Sequence, residues 1–156
     1  MTAADAPACV FCGIAAGQVP ASVVYTDTLV MAFMDTNPVN PGHTLVIPRQ
    51  HHTHLSDVPE ATGARIFAVA QKLAAAIRRS GVRCEGINLF VADGAAAFQD
   101  VFHCHMHVLP RFVGDAFRID ADWSAHPTRG ELDAVAQQVR TAYSDVANQS
   151  TDFGAT

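Results

Sequence analysis

The chain is 156 residues long, 49% of its residues are hydrophobic, and its formal net charge is −5 at pH 7. This length suits a single domain with a substantial core, and the apolar runs are too short and interrupted to span a bilayer. The lack of a Lys/Arg cluster argues against binding of nucleic acid polymers, and the N-terminal residues lack the pattern of a secretory signal. We therefore expect a cytoplasmic protein that does not associate with membranes.

The first half of the chain predicts one short helix followed by three strands. Residues 9–17 form the helix, and Pro20 breaks the pattern. The strands follow at SVVYTD (residues 22–27), LVMAFMD (residues 29–35) and HTLVIP (residues 43–48). The segment TNPVNPG is rich in proline, asparagine and glycine, so it predicts a loop between the second and third strands.

The third strand is followed by the most regular helical pattern in the sequence. Asp57 and Glu60 resemble a capping box that would start this helix, and Ser80 and Gly81 would end it. The apolar residues that recur at helical spacing between them are Ile66, Val69, Leu73 and Ile77. Such a stripe predicts a helix that covers one face of a sheet.

Two more strands and a last helix complete the predicted elements. GINLFVADG (residues 86–94) predicts the fourth strand, and the histidine-rich segment after Gln99 predicts the fifth. Thr128 and Glu131 predict the cap of the last helix. Its buried side would carry Leu132, Val135 and Val139.

These elements predict an α+β fold with a five-stranded, meander-like antiparallel sheet, one long helix and short flanking helices. Only the stretch between the third and fourth strands is long enough for a helical crossover. We expect a single domain over residues 1–147 and a disordered tail over residues 148–156.

The segment FHCHMHVLPR places His103, His105 and His107 at alternate positions. In a strand, side chains two residues apart share one face, roughly 6.6 Å from each other. A neutral imidazole is a nucleophile that can form a covalent phosphoryl or nucleotidyl intermediate. The alternatives for the pattern alone are a metal site and polar residues on a solvated strand.

Three ordered blocks of the sequence resemble the histidine triad family of nucleotide hydrolases and transferases. They are CVFCGIAAGQVPASVVYTD, AFMDTNPVNPGHTLVIPRQH, and HCHMHVL with Pro110 and Arg111 after it. The resemblance implies a five-stranded antiparallel sheet, a homodimer that joins two sheets, and a purine nucleotide substrate. By resemblance, His105 attacks the α-phosphate to give a nucleotidyl-histidine that water hydrolyses, while His107 contacts the phosphate and assists the leaving group.

The same resemblance suggests which residues bind the substrate. Asp35 would accept hydrogen bonds from the ribose hydroxyls, although an aspartate that ends a strand at a turn is also common. Phe11, Ile14 and Phe33 match apolar positions that enclose the base, and each could equally be an ordinary core residue. Gln99 matches the glutamine of a loop that contacts phosphate in relatives.

A cysteine pair at the N-terminus raises the question of a metal. Cys9 and Cys12 have the spacing of a thiolate pair, yet no second pair follows at zinc-finger spacing, so free thiols remain an alternative. In a bacterial branch of the histidine triad family, this pair binds zinc together with two histidines. The resemblance implies His51 and His103 as those ligands, and a closed structural site that leaves His105 available for chemistry.

The sequence departs from the family in the loop before the triad, GAAAFQDVFH. Phe98 and Asp100 stand where relatives have a glycine and a hydroxyl residue, and Ala92 stands where many have an asparagine. An ionised Asp100 would repel a phosphate unless it turns away, is neutral, or faces a cationic leaving group.

The sequence favours a nucleotide hydrolase that acts on phosphoramidates or dinucleoside polyphosphates. Two alternatives remain at this point, a nucleotidyltransferase and a nucleotide-binding regulatory protein with little turnover.

Overall fold

The structure is a computed structural model that describes residues 9–151, with only the helical backbone given for residues 149–151. It divides into two compact units, one ending at Phe117 and one beginning at Arg118. Among the described residues, no helix combines the length and apolar character needed to cross a bilayer.

The first unit is a five-stranded antiparallel sheet with helices. Its elements are α1 (Val10–Ala15), β1 (Val23–Thr26), β2 (Val30–Met34), β3 (Thr44–Pro48), α2 (Glu60–Arg79), β4 (Gly86–Val91) and β5 (Met106–Arg111). The strand order β1-β2-β3-β5-β4 confirms the predicted sheet, and α2 is the crossover between β3 and β4. The sheet is not a simple meander, because β5 inserts between β3 and β4.

Both faces of the central strands are buried, and the alternation of side chains assigns them to two cores. On one face, Val30 and Ala32 of β2 pack with the apolar stripe of α2. On the other face, Met31 and Phe33 pack with residues of α1, including Phe11. The short helix α1 and the long helix α2 therefore cover opposite faces of one sheet.

The capping box predicted at the start of α2, Asp57 with Glu60, was wrong. Pro59 is the N-cap and provides no side-chain cap. Asp57 belongs to a preceding single turn, Leu55–Asp57, where its carboxylate accepts a hydrogen bond from the backbone N–H of His54 at 3.1 Å. The end was predicted correctly, because Ser80 is the C-cap and Gly81 has the positive φ of 84° that favours glycine.

The histidine-containing strand is shorter than predicted. β5 begins at Met106, so only His107 lies within it, and His103 and His105 precede it. The reason is a change of backbone partners. The N–H of Cys104 donates to the carbonyl of His52 at 2.6 Å, and the N–H of His103 donates to the carbonyl of Val101 at 2.8 Å.

The second unit contains the helix α3 (Arg129–Thr151). Its predicted cap is confirmed, because the N–H of Glu131 donates to Thr128 Oγ1 and the N–H of Thr128 donates to the Glu131 carboxylate. The prediction of a buried side was wrong, because Leu132, Val135 and Val139 are 45%, 58% and 62% exposed. The helix includes residues 148–151 of the segment predicted to be a disordered tail, and residues 152–156 lie outside the described residues.

Candidate active site and metal centre

A cavity of about 260 Å³ opens beside α1 and reaches the histidine segment. The predicted substrate-binding residues that line it are Phe11, Ile14, Phe33, Asp35 and His107. His105 and Asp100 line it as well. The cavity therefore joins an apolar part, formed where α1 packs on the sheet, to a polar part that holds two histidines and two carboxyl groups.

Gln99, the remaining predicted substrate-binding residue, is buried and does not line this cavity. Its side-chain oxygen accepts a hydrogen bond from the N–H of Gly94 at 2.8 Å, and its amide nitrogen donates to the carbonyl of Thr53 at 2.9 Å. The glutamine therefore fixes the shape of the loop that follows β4 and leads to Asp100.

His105 is held with one nitrogen toward the backbone and is almost fully buried. Its Nδ1 lies 2.7 Å from the carbonyl oxygen of His103. A carbonyl only accepts hydrogen bonds, so Nδ1 carries the proton and Nε2 of the neutral ring has a free lone pair. The ring of Phe11 packs edge-on against this imidazole, with centroids 5.2 Å apart. The arrangement presents a nucleophilic nitrogen in a fixed orientation.

His107 is oriented by His43, whose role the sequence did not reveal. His43 Nε2 lies 2.9 Å from His107 Nδ1, and the backbone N–H of Val39 donates to His43 Nδ1 at 3.3 Å. Because Nδ1 of His43 accepts, its Nε2 carries the proton and donates to His107 Nδ1. His107 in turn carries its proton on Nε2. The chain from Val39 to His107 thus fixes two tautomers and leaves His107 with an N–H donor.

The surroundings of these two histidines favour their neutral forms. Burial, followed by the proximity of His105 and His43, lowers the pKa of His107 to about 4. Burial also lowers the pKa of His43, although Asp35 Oδ2 lies 3.5 Å from its Nδ1 and acts in the opposite direction. His107 also stacks on Phe90, with centroids 4.3 Å apart. In the free protein, His107 is therefore a hydrogen-bond donor without a charge at neutral pH.

Asp35 follows β2 at the edge of the cavity. Its Oδ1 accepts the N–H of Asn37 at 2.8 Å, as in many turns after strands, and its Oδ2 lies near His43. Asp35, His43 and His107 offer ligand atoms within 4.8 Å of one another. The 2.9 Å contact between the two imidazoles is a hydrogen bond, so we read this group as a network of side chains and not as a metal site.

A second cluster consists of four residues that could hold a metal ion. They are Cys9, Cys12, His51 and His103, and their ligand atoms lie within 4.8 Å of one another. The Sγ of Cys12 is 3.3 Å from His51 Nδ1 and 3.6 Å from His103 Nδ1. The Sγ of Cys9 is 3.5 Å from His103 Nδ1.

These distances fit a tetrahedral ion of the size of zinc. With Zn–S of about 2.3 Å and Zn–N of about 2.0 Å, a tetrahedron has S···N edges of about 3.5 Å. The second nitrogen of each histidine is also engaged, because His103 Nε2 donates to the carbonyl of Pro48 at 2.8 Å and His51 Nε2 lies 3.3 Å from Thr53 Oγ1. Such contacts orient the ligating nitrogen. The structure thus brings all four predicted ligands together.

The relevance of His43 could have been found only from strand pairing. His43 immediately precedes β3, and β3 pairs with β5 in the register Leu45↔His107. Cys104 is a buried thiol. Its side chain is 2% exposed, and burial raises the pKa of its thiol to about 11.

Comparison with solved structures supports the same fold. A HIT family protein from Bacillus anthracis has a TM-score of 0.79 and 37% identity, covering 88% of this chain and 98% of that one. A zinc-bound histidine triad family protein from Mycobacterium smegmatis has a TM-score of 0.68 and 42% identity, covering 86% of this chain and 97% of that one.

Comparison with the sequences of curated proteins gives relatives of the same kind. An uncharacterized HIT-like protein of Borreliella burgdorferi is 44% identical over 110 residues, which are 70% of this chain and 79% of the relative. Adenylylsulfatase HINT3 of Arabidopsis thaliana is 34% identical over 131 residues, which are 84% of this chain and 65% of the relative. The family model for the HIT domain matches residues 16–114. With this match, the cavity and the triad beside it, the chain belongs to the HIT family.

Proposed function

We propose that this protein is a nucleotide hydrolase that cleaves purine nucleoside monophosphate derivatives at the α-phosphate through a covalent intermediate on His105. The observation that carries the proposal is the hydrogen bond from His105 Nδ1 to the carbonyl of His103, because in the neutral ring this bond places the lone pair on Nε2, and His105 lines the cavity. One relative is named as an adenylylsulfatase.

In the first step, His105 Nε2 attacks the α-phosphorus and forms a P–N bond while the bond to the leaving group breaks. The leaving atom keeps the electron pair of that bond and takes a proton from His107. The negative charge of a bound phosphate favours a cationic His107, which opposes the effect of burial on its pKa. A cationic His107 carries a proton on Nδ1 as well, so in the complex His43 Nε2 becomes the acceptor of their hydrogen bond and the proton of His43 moves to its Nδ1, 3.5 Å from Asp35 Oδ2.

In the second step, water attacks the nucleotidyl-histidine and releases the nucleoside monophosphate. The proton of the water returns to His107, and His105 regains its lone pair. Asp35 is placed to accept hydrogen bonds from ribose hydroxyls, and Phe11, Ile14 and Phe33 to enclose the base. Gln99 supports the loop that leads to Asp100.

We also propose that Cys9, Cys12, His51 and His103 bind one structural zinc ion. A zinc ion with four protein ligands crosslinks α1 to the segments around His51 and His103 and offers no site for substrate. A reducing cytoplasm would keep the two thiols available for the metal. The neutral His103 that a metal requires is favoured here, because burial lowers its pKa.

A homodimer joined through its sheets is part of the same proposal. The sheet ends in the edge strands β1 and β4, and every residue of β4 is only half-buried. An edge strand with unpaired backbone groups can extend a sheet across two copies. Light scattering of the purified protein should give twice the chain mass, and a single-chain mass would contradict this part.

The hydrolase proposal is tested by intact-protein mass spectrometry after rapid mixing with an adenosine phosphoramidate. The native chain should carry a transient AMP adduct, and the His105→Ala chain should carry none. The absence of both adduct and AMP release across several nucleotides, despite measurable nucleotide binding, would refute the proposal and favour a nucleotide-binding protein.

A further inference from the structure

The polar part of the cavity contains no fixed positive charge. Among the described residues that line it, the titratable side chains are Asp35, Asp100, His105 and His107, and none is a lysine or arginine. The guanidinium of Arg49, which follows β3, donates to the carbonyl of Ala15 in α1 at 2.9 Å. A chain of phosphates bound here would therefore find imidazoles and carboxylates but, among the described lining residues, no lysine or arginine to neutralise it.

Asp100 is the carboxylate nearest to the nucleophile. Its Oδ1 lies 3.9 Å from His105 Nε2, and its side chain is 84% exposed. A phosphorus atom in position for attack would be about 3 to 3.5 Å from the same nitrogen. The charge of Asp100 would then act at close range on the phosphate and on whatever group is attached to it.

The backbone around Asp100 is held on both sides. The preceding Gln99 is buried and bonded to Gly94 and Thr53, and the carbonyl of the following Val101 accepts the N–H of His103. The N–H of Val101 also donates to Asp100 Oδ1 at 2.8 Å. The carboxylate is thus presented to the cavity by a fixed loop, although its side chain is exposed.

We propose that Asp100 determines specificity by charge, favouring substrates whose leaving group is a cationic amine and disfavouring those whose leaving group is an anion such as a phosphate. This inference rests on the proposed hydrolase function. A positive charge on the leaving group is attracted by Asp100, whereas a negative charge meets a carboxylate that no lysine or arginine of the described lining offsets. Because Asp100 is exposed, we expect about two- to fivefold in kcat/KM per unit charge, the range of an exposed ion pair.

The test uses three AMP phosphoramidates of equal length whose amine ends in an ammonium, a hydroxyl or a carboxylate group. The three leaving groups differ only in the charge at their far end. We expect kcat/KM of the native chain to fall in that order, and the order to flatten in the isosteric Asp100→Asn chain. Glu60→Gln, which removes a negative charge at the exposed start of α2, should keep the native order. Added salt should weaken the preference of the native chain.

The outcomes separate this inference from the proposed function. Equal charge preference in the native and Asp100→Asn chains, with both forming the AMP adduct on the hydroxyl-ended substrate, would overturn the role of Asp100 and leave the hydrolase intact. No adduct with any of the three substrates would refute the hydrolase function and this inference with it. If the Glu60→Gln chain also lost the charge preference, the preference would come from the net charge of the protein, and the role of Asp100 would be overturned.

Discussion

The hydrogen bond from His43 to His107 gives the sharpest test of how the site is built. Replacing His43 by leucine removes the donor but keeps an apolar side chain of similar size. His107 Nδ1 would then lose its 2.9 Å partner inside the protein. Leaving a buried polar atom unpaired costs about 1 to 3 kcal/mol. If all of that free energy is lost from the transition state, kcat/KM falls by about 5- to 150-fold.

The assay is the steady-state release of AMP from an adenosine phosphoramidate, with thermal unfolding measured on the same samples. His43→Gln is the matched control, because its side-chain amide can donate to His107 Nδ1 and should recover part of the activity. Activity of His43→Leu within twofold of the native chain would refute the reasoning. Equal activity of the leucine and glutamine chains, both folded, would show that the donor itself is unimportant.

Three other predictions concern the metal, the fold and the base. Cys9→Ser should lose the bound zinc, measured by elemental analysis, and should melt at least about 5 °C lower, whereas Cys84→Ser should keep its metal. Burial alone would raise the pKa of Asp27, yet hydrogen bonds from Val30, Arg65, Leu29 and Tyr25 hold it well below its usual range. Asp27→Asn should therefore cost about 1 to 2 kcal/mol in urea unfolding at pH 7, and the difference should shrink as the pH falls below about 4; an unchanged difference at pH 3 would contradict this. Phe11→Leu should raise KM several-fold with little change in kcat. A fall in kcat as large as the rise in KM would instead assign Phe11 a role in orienting His105.

The sequence predicted correctly those strands whose own apolar residues mark them as buried. β2 and β3 lie inside the predicted strands because their apolar residues face the two cores, with α1 beyond one face and α2 beyond the other. The turns between them follow from Pro and Gly, whose backbone limits do not depend on the rest of the fold. The family motif predicted the sheet and the grouping of Cys9, Cys12, His51 and His103.

Features that depend on distant partners were not predictable in this way. The contact of His43 with His107 needs the pairing of β3 with β5. Neither strand has a sequence pattern that predicts the position of β5 beside β3. Likewise, the start of β5 was displaced by a backbone contact between Cys104 and His52, which are far apart in sequence. In α3, periodicity identified an apolar face but not whether anything covers it, and Val139 is exposed.

His103 contacts the cysteine cluster and His105 through different parts of the residue. Its imidazole faces the thiols, whereas its main-chain oxygen holds His105 Nδ1. Every amino acid has that oxygen, so a mutation at this position can remove a proposed metal ligand without removing the backbone acceptor of His105 Nδ1. Under the proposed function, a descendant of this protein could therefore lose the metal site one ligand at a time and keep the backbone contact that orients His105.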